Sequence, residues 1–154
     1  MTDGELVPDQ LIDRLVRGEL ESLAPDQGFV LDGYPRTPRE ARSLHRTLAQ
    51  LGRLDPRPVA VWLEVPRDVL AERLRQRRIT QDRPDDSDAA IARRLEIDEA
   101  QAGPLRKALA GLADSVTIDG NRPPDEITDE ILRAVAQTVA RARDSEMSFQ
   151  MSDR

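Results

Sequence analysis

Asp32-Gly33-Tyr34-Pro35-Arg36 puts a carboxylate, a turn and a guanidinium directly after a short apolar run, Phe29-Val30-Leu31. A carboxylate at the end of a buried strand can hold Mg²⁺ through its waters, as in enzymes that move phosphate. It can equally be an ordinary turn or helix-capping acid. Gly33 lets a ligand approach the backbone, Pro35 stiffens the turn, and Arg36 can grip a phosphate with two parallel hydrogen bonds. A second group of cations lies further on, with seven arginines between residues 73 and 94. Arg73 and Arg77 are one helical turn apart and share a face. Arg83 falls in the polar stretch that follows, and Arg94 comes eleven residues later. Arginines converging from a helix, a loop and a second helix suit a substrate rich in phosphate oxygens, because phosphoryl transfer asks the protein mainly for positioning and charge neutralisation. The same arginines could instead form local ion pairs with Asp68, Glu72, Asp82, Asp85, Asp86, Asp88, Glu96 and Asp98.

Such groups need a frame. The periodicity predicts a helix from Pro8 to about Arg17 with Gly18 as its stop, and a strand over 28–31. A helix then runs from Pro38 to Leu51 and ends at Gly52. Residues 59–65 (VAVWLEV) read as a parallel strand covered on both faces. A helix opens at Pro66, a polar loop spans about 78–86, and Ser87 caps a long helix bent near Gly103-Pro104. The strand SVTID (115–119) and a last helix through Ile127, Ile131 and Val135 complete the pattern, and residues 144–154 are expected to form a mobile tail. Alternating strands and helices give an α/β class with a parallel sheet, whose ligands bind beyond the carboxyl ends of the strands.

Composition narrows the function. The 154 residues suit one domain with a core of Leu, Val, Ile and Ala, since only 3% are aromatic. With no cysteine there is neither a disulfide scaffold nor a thiolate zinc site, and the lone His45 reads as a surface or packing residue. A net charge of −6 argues against general nucleic-acid binding. No run approaches the roughly 20 apolar residues of a membrane helix, and the first residues lack a signal pattern. The expected location is cytoplasmic, with no nucleic acid or membrane partner.

The order of pieces is more specific than any one of them. GELVPD (4–9), GFVLDGYPRT (28–37), LAERLRQR (70–77), DRPDD (82–86), IARRL (91–95), GPL (103–105) and IDGNRPPDEI (118–127) together resemble the adenylate kinase family of nucleoside monophosphate kinases, in its short-lid form. The resemblance implies a P-loop kinase core of strand order 2-3-1-4-5, residues 1–143 forming a partial kinase domain. Within it, 1–27 would be a remnant of the monophosphate-binding region and 78–86 a short lid loop. It implies transfer of phosphate from ATP to a nucleoside monophosphate, giving two diphosphates, with Mg²⁺ as cofactor and a monomeric full-length form.

By the same resemblance Glu5, Leu6 and Val7 border the monophosphate nucleotide, and Gly33, Tyr34, Pro35 and Arg36 contact its phosphate and base. Asp32 orients Mg²⁺ through water. Arg73 and Arg77 lie on the ATP side, Arg83 and Arg94 bridge the transferring phosphates, and the backbone near Arg122 meets the ATP base. Glu40 stands where AMP enzymes usually carry a base-reading Gln, and an ionised carboxylate only accepts hydrogen bonds. Thr37 still favours AMP over the substrates of pyrimidine-specific relatives.

One part is missing from the 154 residues. The lysine-bearing loop G-x-x-x-x-G-K-[ST] is absent, and Gly28 to Gly33 imitates only its glycine spacing around an apolar run. The only lysine is Lys107. The expectation is a chain truncated at its N-terminus, lacking the central first strand between 28–31 and 59–65. Such a chain would not be an autonomous enzyme: it would be part of a kinase, or a non-catalytic remnant that binds nucleotide weakly or completes a partner chain.

Overall fold

The computed structural model describes residues 9–80 and 87–152, with side chains over 11–80 and 87–140. Among them the elements run α1 (Asp9–Ser22), α2 (Pro38–Gln50), β1 (Val59–Glu64), α3 (Arg67–Thr80), α4 (Asp88–Leu109), β2 (Asp114–Asp119) and α5 (Pro124–Ser152). The class is α/β, as the alternation predicts. The strands pair in parallel and in register from Val59 opposite Asp114 to Glu64 opposite Asp119. The connection between them contains α3 and α4, since parallel neighbours need a long crossover.

Helix α2 is defined by its ends. At the start, Thr37 Oγ1 accepts from the Glu40 N–H and the Glu40 side chain accepts from the Thr37 N–H, a reciprocal capping box. At the finish, Gly52 takes φ +65°, and the Arg53 and Gly52 N–H groups turn back to the carbonyls of Leu48 and Ala49. Arg53 then reaches back with its guanidinium, donating to the carbonyls of Leu23 and Ala24 at 2.8 and 2.9 Å and of Gln27 at 3.0 Å. One side chain thus fixes the turn that leads from α1 into 28–31.

The core lies where α1, α2 and α4 meet the sheet. Leu20, Ala41, Leu44, Leu48, Leu105, Leu109, Leu112 and Ala113 form it, with Phe29, Leu31, Tyr34, Ala60 and Trp62 packed on its margin. Arg106 lies 4.6 Å over the Trp62 ring and donates to Glu64 at 2.7 Å, tying α4 to β1. Helix α5 packs on both strands.

Several expectations change. Gly18 does not stop α1: the helix continues to Ser22 because Leu20, 2% exposed, anchors the following turn. A mid-helix glycine costs only about 1 kcal/mol, which that burial offsets. Residues 28–31 form no strand, because a strand exists only by pairing and this segment has no backbone partner among the described residues; Val30 is 93% exposed. For the same reason β1 is half-buried rather than covered on both faces, and Leu63 is exposed. Of the expected strand order, only the β1–β2 neighbours are described.

Helix α3 runs through 78–80, assigned from sequence to the loop, and 81–86 lie outside the described residues. Pro104 sits inside α4 without ending it; the helix continues to the buried Leu105 and Leu109. The expected tail is helical to Ser152. No helix among the described residues is long and apolar enough to cross a membrane.

Candidate functional site

Two groups of side chains gather at the carboxyl ends of the apolar segments. The first is the loop from Asp32 to Arg36, which joins 28–31 to α2. Gly33 takes φ +73°, a left-handed conformation that side chains resist. A Cβ there would lie 2.9 Å from Arg36 Nη2, since Arg36 folds across its own loop and donates from Nε to the Gly33 carbonyl at 2.7 Å. Arg36 itself is exposed. Asp32 is exposed at the base of the turn, with no hydrogen-bond partner among the described residues.

Glu40 secures this loop from below. It is 5% exposed, and its Oε2 accepts from the Arg36 N–H at 2.6 Å and from the Thr37 N–H at 3.2 Å. A buried carboxylate is stable only where such donors meet it. Glu40 is therefore part of the loop's scaffold. Sequence reasoning placed it at a base and missed the capping box, although Thr37-x-x-Glu40 is the local signature of one.

Tyr34 fastens the same loop sideways. Its hydroxyl donates to Asp13 Oδ1 at 2.8 Å and lies 3.4 Å from the Glu40 carbonyl. Burial, then the hydrogen bond and charge of Asp13, push the phenol above its ordinary range, so it stays a donor at any physiological pH. Arg39 Nη1 approaches Asp13 Oδ2 at 3.5 Å from the first turn of α2. Asp13 and Arg39 escaped the sequence reading, because residues 21 and 26 positions apart leave no local pattern.

The second group stands at the strand ends. Arg73 Nη1 donates to the Gly120 carbonyl at 3.0 Å, while the Gly120 N–H bonds the Glu64 carbonyl at 2.8 Å. One residue therefore joins β1, β2 and α3. A Cβ on Gly120 would meet Val65 Cγ2 at 2.6 Å and the Glu64 carbonyl at 3.3 Å, so no larger residue fits without displacing a strand end. Arg122 lies two residues on. It is held by Glu130 and by the Asp119 carbonyl at 3.3 Å, and the Glu130 hydrogen bond raises its guanidinium pKa.

Arg77 is half-buried one turn beyond Arg73, and Arg94 is exposed on α4. Arg73 and Arg122 thus share one strand end, and Gly33 to Glu40 share the loop. Arg94 joins neither group by direct contact. Glu5, Leu6, Val7 and Arg83 lie outside the described residues.

Among the described residues no cluster of three or more acids and histidines could hold a metal by itself. An isolated, exposed carboxylate such as Asp32 fits Mg²⁺, which keeps most of its waters and takes few protein ligands beside substrate phosphates. Chemically, the described part of the site offers guanidinium groups, strand-end backbone and one carboxylate, Asp32, that no described side chain engages.

A family model described as "Adenylate kinase" matches residues 1–109. The chain is 39% identical over 129 residues to the adenylate kinase of Bifidobacterium longum, covering 84% of this chain and 68% of that protein. It is 36% identical over 132 residues to the adenylate kinase of a Synechococcus species, covering 85% and 67% respectively. For the adenylate kinase of a Cyanothece species the identity is 34% over 137 residues, covering 89% and 69%.

Proposed function

This chain belongs to the adenylate kinase family, and we propose that it supplies the arginine-bearing wall of a site that moves a phosphoryl group from ATP to AMP. The observation that carries the reading is the Arg36 loop: a guanidinium at the carboxyl end of an apolar segment, fixed by Gly33 and Glu40. In the reaction, an oxygen of the AMP phosphate attacks the terminal phosphorus of ATP as the bond to the bridging oxygen breaks. Two molecules of ADP result, with no covalent enzyme intermediate.

Arg36 holds the AMP phosphate by charge-assisted hydrogen bonds. Arg73, Arg77, Arg83 and Arg94 neutralise the charge that spreads over the transferring group, and the backbone around Arg122 receives the ATP base. Mg²⁺, held through water by Asp32, would supply further neutralisation between the ATP phosphates. The lysine-bearing phosphate loop is not among these 154 residues, so catalysis requires that it be contributed from outside them. Thr37 favours AMP as acceptor. Glu40 acts on the loop backbone.

A second reading has its own observation. The segment 28–31, without a backbone partner among the described residues and with Val30 exposed, and the exposed Leu63 on β1 suit a chain that binds nucleotide weakly and completes a partner. Phosphate exchange between ATP and AMP, measured with protein that includes the phosphate loop, separates the two. Arg36→Ala is expected to lower that exchange by about 10²-fold. An unaltered rate removes Arg36 from the site, and nucleotide binding without any exchange favours the second reading.

A further inference from the structure

Helix α1 is fastened unevenly. Its C-terminal end is anchored by Leu20 in the core, whereas Leu11 and Leu15 in its first half are exposed and none of residues 11–15 is fully buried. Beside the half-buried Ile12, that first half carries a polar clasp. Asp13 Oδ1 accepts from the Tyr34 hydroxyl at 2.8 Å and Oδ2 faces Arg39 at 3.5 Å, so one carboxylate gathers α1, the Arg36 loop and the first turn of α2. Tyr34 brings its ring to the core margin and its hydroxyl out to the acid.

We infer that Asp13 is a positioning residue, which through Tyr34 fixes the first half of α1 against the loop that carries Arg36 and so sets the grip on a nucleoside monophosphate. The inference rests on the proposed phosphotransfer reading, because it gives α1 and Arg36 the same ligand. Glu5, Leu6 and Val7, assigned to that nucleotide by resemblance, lead directly into α1 through Pro8. The clasp need not hold the fold. Removing it leaves Leu20, the capping box and the Arg53 anchors in place, and the expected loss falls on ligand geometry. The hydrogen bond is charge-assisted, and its removal is expected to shift affinity about tenfold.

The test measures AMP affinity by calorimetry, together with KM for AMP and kcat, in protein that includes the phosphate loop. Asp13→Ala and Tyr34→Phe should each raise the dissociation constant and KM about tenfold while kcat changes less than about threefold. The double variant should be no worse than either single one. Asp13→Asn, which keeps an acceptor for the phenol, should restore most of the affinity.

Unchanged affinity in Tyr34→Phe, additive losses in the double variant, a fall in kcat at constant KM, or an Asn variant as weak as the Ala variant would each overturn the inference. If Arg36→Ala weakens AMP binding while the Asp13 variants do not, the phosphotransfer reading stands and this inference fails alone. An unsubstituted protein that neither binds AMP nor exchanges phosphate would overturn both.

Discussion

Helices α2 and α3 are nearly equal in length and both carry several arginines, yet they are held by different means. Helix α2 is closed at both ends by backbone and side-chain caps and buries Glu40, Ala41, Leu44, Thr47 and Leu48. Helix α3 buries no residue fully. It is tethered to α4 by the exposed pairs Arg67–Glu99 and Arg75–Asp88, and to the sheet by Arg73 on the Gly120 carbonyl. The contrast separates two ways of presenting a guanidinium. Arg36 is delivered by a loop held by the buried Glu40 carboxylate, by the Tyr34–Asp13 hydrogen bond and by Tyr34 against the core margin. Arg73 and Arg77 ride on a helix that can shift without opening a core. In the proposed site, the acceptor-side arginine is thus held by a buried, capped element and the donor-side arginines by an element with no fully buried residue.

The contrast is sharpest in the core. Leu48→Ala, at a position 1% exposed, should cost about 2–5 kcal/mol in denaturant unfolding. Leu74→Ala on the half-buried face of α3 should cost distinctly less. Equal losses would show that α3 is as well packed as α2.

Glu40→Ala comes next. It leaves the Arg36 and Thr37 N–H groups without their acceptor, and the expected loss is about 1–3 kcal/mol, measured the same way. A loss within error would mean that water or another acceptor serves the loop equally well.

The smallest effect belongs to Arg75→Ala. The Arg75–Asp88 pair is exposed, so the unfolding midpoint should barely move at low salt and not at all at high salt. A large, salt-insensitive loss would place α3 in the same class as α2.

Much of this was legible in the sequence, for reasons that differ by element. The start and end of α2 were written in Pro38 and Gly52, whose backbone demands are local. The β-branched run at 59–64 and the strand at 114–119 were legible for the same reason. What failed depended on distant partners. Residues 28–31 have the composition of a strand but no neighbour to pair with among the described residues. Gly18 looks like a stop until Leu20 is seen in the core.

At the site, Asp32, Gly33 and Arg36 could be singled out from their types and order. Glu40 was placed at a base because its position invited that role. Its engagement with two N–H groups depends on the folded loop, even though Thr37 had already signalled it. Asp13 could not be found at all, because nothing in α1 announces a tyrosine on a loop beyond it.

The junction at Gly120 has a mechanical consequence. The two peptide planes that meet at its Cα face different partners, one strand served through the Gly120 N–H and one helix through the Gly120 carbonyl, with no side chain between them. Sheet and arginine helix consequently share a pivot. Arg73 of α3 bonds the residue directly after β2, two positions before Arg122. Two cations assigned to the same nucleotide are thus geared to one another through a residue that carries no charge of its own.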